Sequence, residues 1–330
     1  MADFLTLVGG LALLIIGGEL LVRGAVAVAE RLGMSPLLIG LTLVGFGTST
    51  PELVTSVEAS LIGSPGIAVG NIVGSNISNT LLILGLSALI MPMAVSSTAL
   101  RRDGIVVLLV SLMFAIVSYT HILDRISGGI FVGLLIAYIA YAYRQERSTA
   151  EIGVGHTAAY TKAEAHDELL DGQARSNLDG RLGFLLPLGM AIAGLSVIIF
   201  GGKLLVESAI AIARSYGVSE SVIGLTIVAV GTSMPELVTS LVAAFRRHGD
   251  VAIGNILGSN IYNILGIGGA TGLIAPTNVP PDIVSFDNLV MLAATIVMFA
   301  FAWSGRRISR VEGLLMFAGY VAYIASLWPK

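Results

Sequence analysis

The chain contains no cysteine, which excludes a disulfide, a thiolate metal site and a thiol nucleophile and leaves its redox compartment unread. Charge is scarce as well. Only 12% of the 330 residues are Asp, Glu, Lys or Arg, against about 25% in soluble globular chains. A net charge of -3 excludes the basic footprint of a nucleic-acid binder. Polar stretches are missing with one exception. Residues 145–181 carry Glu151, Glu164, Asp167, Glu168 and Asp171 but no apolar period able to pack a domain. They lack the ligand spacing of an EF-hand and read as a solvated linker. The start, Met1-Ala2-Asp3, has no positive n-region, so the first apolar run is expected to be a retained helix rather than a cleaved signal.

What is present is apolar. Hydrophobic residues make up 55% of the chain, and mean hydropathy is +0.90. Runs of about 20 apolar residues recur from end to end, each able to cross a hydrocarbon core of roughly 30 Å. The 40 glycines suit close helix contacts where no hydrophobic force drives association. The fold class is therefore an all-α polytopic membrane protein. Ten spans are predicted, at 4–29, 36–62, 68–91, 103–120, 126–144, 182–213, 219–245, 252–275, 286–304 and 309–327. Residues 1–144 form a first five-helix unit, 145–181 the acidic linker, and 182–330 a second five-helix unit. Loops after odd-numbered spans hold 13 Lys and Arg, against 3 after even-numbered spans and at the C-terminus. Positive-inside reasoning puts both termini outside and the linker in the cytoplasm.

A shift of 184 residues aligns Ile39–Ser56 with Ile223–Ser240 at 14 of 18 identities, and Ala68–Asn79 with Ala252–Asn263 at 9 of 12. Five spans per copy is an odd number, so the second copy enters the bilayer from the opposite face. Inverted repeats are the architecture of many secondary transporters, with the site near the midplane between them.

The best-matched block is Gly47-Thr48-Ser49-Thr50-Pro51-Glu52-Leu53 in span two and Gly231-Thr232-Ser233-Met234-Pro235-Glu236-Leu237 in span seven. Proline removes a backbone donor and loosens the adjoining turn, and freed carbonyls inside a membrane need protein, water or an ion. A lone Pro beside Ser and Thr would make only a kink with back-bonded hydroxyls. An intramembrane glutamate is a site by default, because burying its charge is costly, and here two occupy equivalent breaks. Thr48, Ser49, Thr232 and Ser233 add hydroxyls, giving the all-oxygen mixture that hard cations such as Ca²⁺ and Na⁺ take. Spans three and eight add Ser75 with Asn79 and Ser259 with Asn263, each pair four residues apart on one helix face. Asn71, Asn76, Asn255 and Asn260 either join that shell or bond neighbouring helices. Two carboxylates are neutralised by one Ca²⁺ or by two Na⁺, and the empty site leaves like charges together in low dielectric, which opposes a leak. Glu19 with Arg23 in span one, and Lys203 with Glu207 in span six, are expected to be self-neutralising structural pairs. His121, His156, His166 and His248 all fall in predicted loops.

G-T-S-x-P-E-L paired with G-N-x-x-G-S-N-I-x-N, twice in an inverted duplication, resembles the alpha repeats of the calcium/cation antiporter superfamily, in particular the compact prokaryotic form of its sodium/calcium exchanger branch. The resemblance implies ten helices, ion sites on helices two, three, seven and eight, and helices one and six sliding over that core. Carried over by motif position, it implies Glu52 and Glu236 as shared carboxylates, Thr48 and Thr232 as backbone or hydroxyl donors, and Ser49, Ser233, Ser75 and Ser259 beside flanking Na⁺ positions. Gly45 and Ala229 would offer carbonyls, with Asn79 and Asn263 at the middle level. Some relatives carry Asp at one of those two asparagines, linked to potassium co-transport, and both are amides here. Proton-coupled relatives show an acid where this chain has Gly74 and Gly258.

The expected function is an electrogenic antiporter exchanging Na⁺ for Ca²⁺ by alternating access, in a bacterial or archaeal cytoplasmic membrane. H⁺/Ca²⁺ exchange is the alternative within the class, and a cation channel the alternative outside it. No enzyme motif is present and no cofactor is expected, Ca²⁺ and Na⁺ being cargo. The partners are those ions and the lipid bilayer, with no nucleic acid and no obligate protein partner.

Overall fold

A computed structural model describes residues 2–32, 36–97, 99–151, 181–215 and 229–327. Among the described residues the secondary structure is helical apart from four two-residue strands. Helix α1 (Ala2–Leu32) is followed by a broken second rod. This comprises α2 (Pro36–Ile39), a π-helical turn at Gly40–Val44, α3 (Gly45–Thr48) and α4 (Thr50–Leu61). The third rod is continuous: α5 (Pro65–Ile77), a π segment at Ser78–Ile83, and α6 (Leu84–Ile90). Strand β1 (Met93–Ala94), a π segment at Ala99–Gly104, α7 (Ile105–Ser118), β2 (Ile122–Leu123) and α8 (Arg125–Glu151) complete the first half.

The second half repeats this order with α9 (Arg181–Ser215), α10 (Ala229–Thr232), α11 (Met234–Phe245) and α12 (Gly249–Ile261), then a π segment at Tyr262–Gly268 and α13 (Gly269–Ile274). It ends with β3 (Thr277–Asn278), a π segment at Ile283–Asp287, α14 (Asn288–Gly305), β4 (Arg307–Ile308) and α15 (Arg310–Leu327).

Among the described residues, seven helices are long and apolar enough to cross a membrane. The other three predicted spans fall short for separate reasons. Span two is cut at Ser49. Most of span four is a 14-residue helix behind a π turn. Part of span seven, 219–228, lies outside the described residues. So do residues 152–180 of the linker, with His156 and His166, whereas 145–151 continue α8 and 181 already begins α9. His121 and His248 lie outside helices, as expected.

Two buried apolar clusters divide the molecule. The larger joins α5, α6, α7, α8, α12 and α14 around Ile72, Ile77, Val107, Phe114, Ile256 and Met298. The smaller joins α1, α9 and the second rod through Leu14, Leu21, Ala25, Ile39, Val44 and Ile198. Glycines bring α1 and α9 backbone to backbone: a Cβ on Gly24 would lie 2.7 Å from the Pro187 carbonyl oxygen, and one on Gly17 would lie 2.8 Å from the Ile198 nitrogen.

The strands tie the halves together crosswise. Met93 and Ala94, after the third rod of the first half, pair antiparallel with Ile308 and Arg307, after the fourth rod of the second. Ile122 and Leu123, after the fourth rod of the first half, pair with Asn278 and Thr277, after the third rod of the second. The same correspondence runs through a tyrosine–aspartate brace, buried in the first half and half-buried in the second. Tyr138 Oη donates to Asp103 Oδ1 at 2.9 Å, and Tyr323 Oη donates to Asp287 Oδ1 at 2.9 Å. Asp103 and Asp287 keep the 184-residue shift while the tyrosines stand 185 apart, so the second half carries one extra residue between them.

Candidate ion-binding site

Both G-T-S-x-P-E-L segments break their helix at the serine. Ser49 has φ −84° and ψ 10° between α3 and α4, and Ser233 has φ −89° and ψ 9° between α10 and α11. Proline suits a first turn and clashes in a helix interior, so each break falls two residues before Pro51 or Pro235. Glu52 and Glu236 thereby land in the first turn of a new helix. There, unsatisfied N–H groups and the helix dipole favour negative charge.

Both carboxylates are 1% exposed. Ser49 Oγ donates to Glu236 Oε1 at 2.7 Å, and Ser233 Oγ donates to Glu52 Oε1 at 3.4 Å. Since Ser49 and Ser233 are repeat equivalents, each serine serves the other half's glutamate. The two carboxylates therefore meet between the halves. The second oxygen of each, Oε2, has no hydrogen-bond partner among the described residues, and neither have Asn79 Oδ1 and Asn263 Oδ1. Buried polar atoms without partners are rare and costly, and these four acceptors all sit at positions the motif singles out. Among the described residues no group of three His, Cys, Asp or Glu gathers. Formal charge at the centre thus stops at two carboxylates.

The neighbouring positions are buried but more engaged. Thr48 Oγ1 donates to the Val44 carbonyl at 3.0 Å and contacts Asn255 Oδ1 at 3.2 Å. The Gly45 carbonyl already accepts from Ser259 Oγ at 3.1 Å and from the Ser49 amide at 3.3 Å. Ser75 is buried, Thr232 is half-buried, and Ala229 opens α10. Asn79 and Asn263 lie in π segments rather than α-helix. The four-residue face expected for Ser75–Asn79 and Ser259–Asn263 is therefore wound wider than α-helical spacing implies. Such π segments recur at functional sites because they re-aim side chains.

The remaining asparagines hold the scaffold. Asn71 Nδ2 donates to the Glu52 carbonyl at 3.0 Å and to Ser56 Oγ at 2.9 Å, and Asn255 Nδ2 donates to the Glu236 carbonyl at 3.3 Å and to Ser240 Oγ at 2.9 Å. Asn260 accepts from Asn79 Nδ2 at 3.1 Å and donates to Thr80 Oγ1 at 2.9 Å. Asn76 Nδ2 bonds its own helix at the Ile72 carbonyl. Glycine permits the cross-half contact: a Cβ on Gly258 would fall on the Leu41 carbonyl oxygen and 2.7 Å from Leu41 Cα. Gly74, its equivalent, meets no described atom within 4 Å. Thr239, three residues after Glu236, has a buried Oγ1 with no hydrogen-bond partner among the described residues, and the shared P-E-L-V-T run is its signal in the sequence.

Comparison with known proteins decides the family. The sodium/calcium exchanger protein family matches residues 3–145 and again 186–328. The chain belongs to that family. It is 36% identical to sodium/calcium exchanger MaX1 of Methanosarcina acetivorans, over 99% of this chain and 98% of that one. It is 35% identical to inner membrane protein YrbG of Escherichia coli, over 98% and 95%. A solved structure of the sodium-calcium exchanger NCX_Mj, soaked with Na⁺ and Sr²⁺, superposes with a TM-score of 0.82 at 31% identity, covering 100% of this chain and 99% of that one. As a member of the exchanger family, the chain is a multi-pass integral membrane protein of the cation/calcium antiporter type, a transporter rather than an enzyme.

Proposed function

We propose that this chain exchanges Na⁺ for Ca²⁺ by alternating access, with Glu52 and Glu236 as carboxylates shared between the two cargoes. The reciprocal serine–glutamate pairing carries this reading, because it leaves one oxygen of each carboxylate unpaired in a buried, all-oxygen setting. Asn79 and Asn263 would supply amide oxygens at the same level. Thr48, Thr232, Ser49, Ser233, Ser75 and Ser259 would supply hydroxyl or backbone oxygens around it, and Gly45 and Ala229 carbonyls. Ca²⁺ takes six to eight oxygens, which this set provides once the serines turn from the carboxylates to the ion. One Ca²⁺ or two Na⁺ neutralise the pair, and further Na⁺ on the flanking hydroxyls would make exchange electrogenic. Each surplus charge entering gains about 2.3 kcal/mol per 100 mV of inside-negative potential. No resident cofactor is needed.

The proposal includes ten spans in two inverted five-helix repeats, 1–144 and 182–330, joined by the cytoplasmic linker, with both termini outside a bacterial or archaeal cytoplasmic membrane. The crosswise strand pairing supports inversion. The end of a third rod in one half lies level with the end of a fourth rod in the other, as expected only if the halves run in opposite directions. Sodium is favoured over the proton because Gly74 and Gly258 stand where proton-coupled relatives carry an acid.

The test is uptake of radioactive calcium into proteoliposomes loaded with Na⁺, or carrying only a pH gradient. Sodium-driven uptake that generates an inside-negative potential is expected as Na⁺ leaves. Uptake driven by pH alone overturns the sodium assignment, and flux independent of any counter-ion overturns antiport.

A further inference from the structure

The pseudo-symmetry of the two halves fails at one surface site. Glu19, midway along α1, pairs with Arg23 on its own helix and also reaches Arg246 at the end of α11. Arg246 Nε donates to Glu19 Oε2 at 2.9 Å, and its Nη2 donates to Glu19 Oε1. The 184-residue equivalent of Glu19 is Lys203, whose nearest carboxylate is Glu207 on its own helix at 3.8 Å. The equivalent of Arg246 is Ile62, 77% exposed. The cross-element ion pair is therefore built on one side of the molecule only.

Packing is one-sided at the same place. Gly18 of α1 lies against α11 so closely that a Cβ there would sit 2.9 Å from Val238 Cγ1 and 3.0 Å from Val242 Cγ2. Its equivalent, Gly202 of α9, does not meet the equivalent residues Val54 and Glu58 of α4. A Cβ on Gly202 would find Leu14 and Met234 at 3.9 and 4.0 Å, and Val54 is 51% exposed. The α1–α9 pair thus lies over the half-helix carrying Glu236 and leaves the half-helix carrying Glu52 uncovered.

We infer that Glu19 and Arg246 set which face of the membrane the carboxylate pair prefers, by holding the α1–α9 pair on α11 through an ion pair with no counterpart on α4. The inference rests on the alternating-access reading and adds a direction to it. Sliding the pair toward α4 breaks the Glu19–Arg246 contact, and Ile62 offers no charge in place of the arginine. The carboxylate α4 presents to Lys203 is the exposed Glu58, which a lysine meets as a single point charge rather than as a two-pronged guanidinium. Of the two end states, only one carries the two-pronged arginine–carboxylate contact.

The test uses the cysteine-free chain with nitroxide labels on two introduced cysteines, Leu5→Cys on α1 and Ile274→Cys at the end of α13, both sites being exposed. Distances are read by pulsed electron spin resonance in lipid nanodiscs containing Na⁺. Partly exposed ion pairs shift an equilibrium by about two- to fivefold. Glu19→Gln and Arg246→Gln should each change the population ratio of the label-distance peaks by that factor. Glu19→Lys with Arg246→Glu should restore the parent ratio, and Lys203→Gln should not reproduce the shift of the single variants. An unchanged distribution in both single variants overturns the inference, as does failure of the charge swap to restore it or an equal shift from Lys203→Gln. A featureless broadening in the single variants, signalling lost packing, overturns it as well. The distances do not depend on which ion drives calcium, so parent proteoliposome uptake fails or succeeds separately.

Discussion

Gly258→Ala probes the contact on which the shared site depends. The new methyl would lie on the Leu41 carbonyl oxygen, 2.7 Å from Leu41 Cα and 2.8 Å from Leu41 C. Carbon atoms rest at about 3.5–4.0 Å, so α12 and the second rod must separate by about 1 Å. Both sides of the contact are backbone, and no rotamer change relieves it. Overpacking of this kind costs about 1–3 kcal/mol. The same movement displaces Ser259 from the Gly45 carbonyl, one residue along, where they now meet at 3.1 Å. Ca²⁺–oxygen distances span only about 2.3–2.6 Å, so a shift near 1 Å removes the ligands of one half from reach of the other. Thermal unfolding in detergent should show the lost stability, and sodium-driven calcium uptake should show a weakened apparent calcium affinity. Gly133→Ala is the control, since nothing lies within 4 Å of its Cβ, and it should be neutral or mildly stabilising by helix propensity. Parent-like stability and calcium affinity in Gly258→Ala would refute the close-contact argument.

Glu52→Gln and Glu236→Gln should each abolish sodium-driven calcium uptake while the purified protein keeps its helical circular dichroism, because each removes half the buried formal charge. Asn71→Ala and Asn255→Ala each delete two hydrogen bonds to the scaffold behind a glutamate, and Asn255→Ala also removes an acceptor of Thr48 Oγ1. A loss of about 1–3 kcal/mol per buried group left unpaired is expected, read as a lower midpoint of thermal unfolding. Arg247 has φ 63° where its repeat equivalent, Gly63, has φ 74°. Arg247→Gly should therefore raise the unfolding midpoint, relieving about 1–2 kcal/mol of left-handed strain. Asp124 opens α8, its Oδ1 accepting from the Ser127 amide at 2.9 Å and from Ser127 Oγ at 2.7 Å. Those bonds, the amide's foremost, hold its carboxyl below the usual aspartate range. Its stabilisation is then complete above the unfolded-state value and lost as pH falls through the lower folded one. Asp124→Ala should flatten that acid limb of a stability–pH profile.

The doubled break and its two glutamates were legible because proline, glycine and a buried charge each have one local meaning inside a membrane. Glu52, Glu236, Ser49 and Ser233 are brought together as their spacing suggests, and the helices break within two residues of the prolines. The π segments were not legible. Four of the five described π segments hold Asn79, Asn263, Asp103 or Asp287, the fifth is Gly40–Val44, and no single residue type encodes such a turn. The crosswise choice of partner was hidden too: no spacing within one motif shows that Ser49 bonds Glu236 and Ser233 bonds Glu52. Arg246 was read as one of the charges in an orienting loop. Its reach to Glu19, 227 residues away, depends on how α1 crosses α11, which no local pattern records.

Symmetry and its failure divide the labour of the molecule. At the carboxylates the halves exchange equivalent bonds, at 2.7 Å and 3.4 Å, so that on the proposed function a cation would meet equivalent oxygens from both faces. A site so built has no preference of its own for a face. In the inference drawn above, preference comes from residues in which the halves differ, and the differing charges that reach between elements lie at the contact between α1 and α11. Gly18 against Val238 and Glu19 against Arg246 have no working counterparts at Gly202 and Lys203. On the proposed function, ion binding would belong to the duplicated motifs, and the balance between two access states to the residues in which the two copies differ.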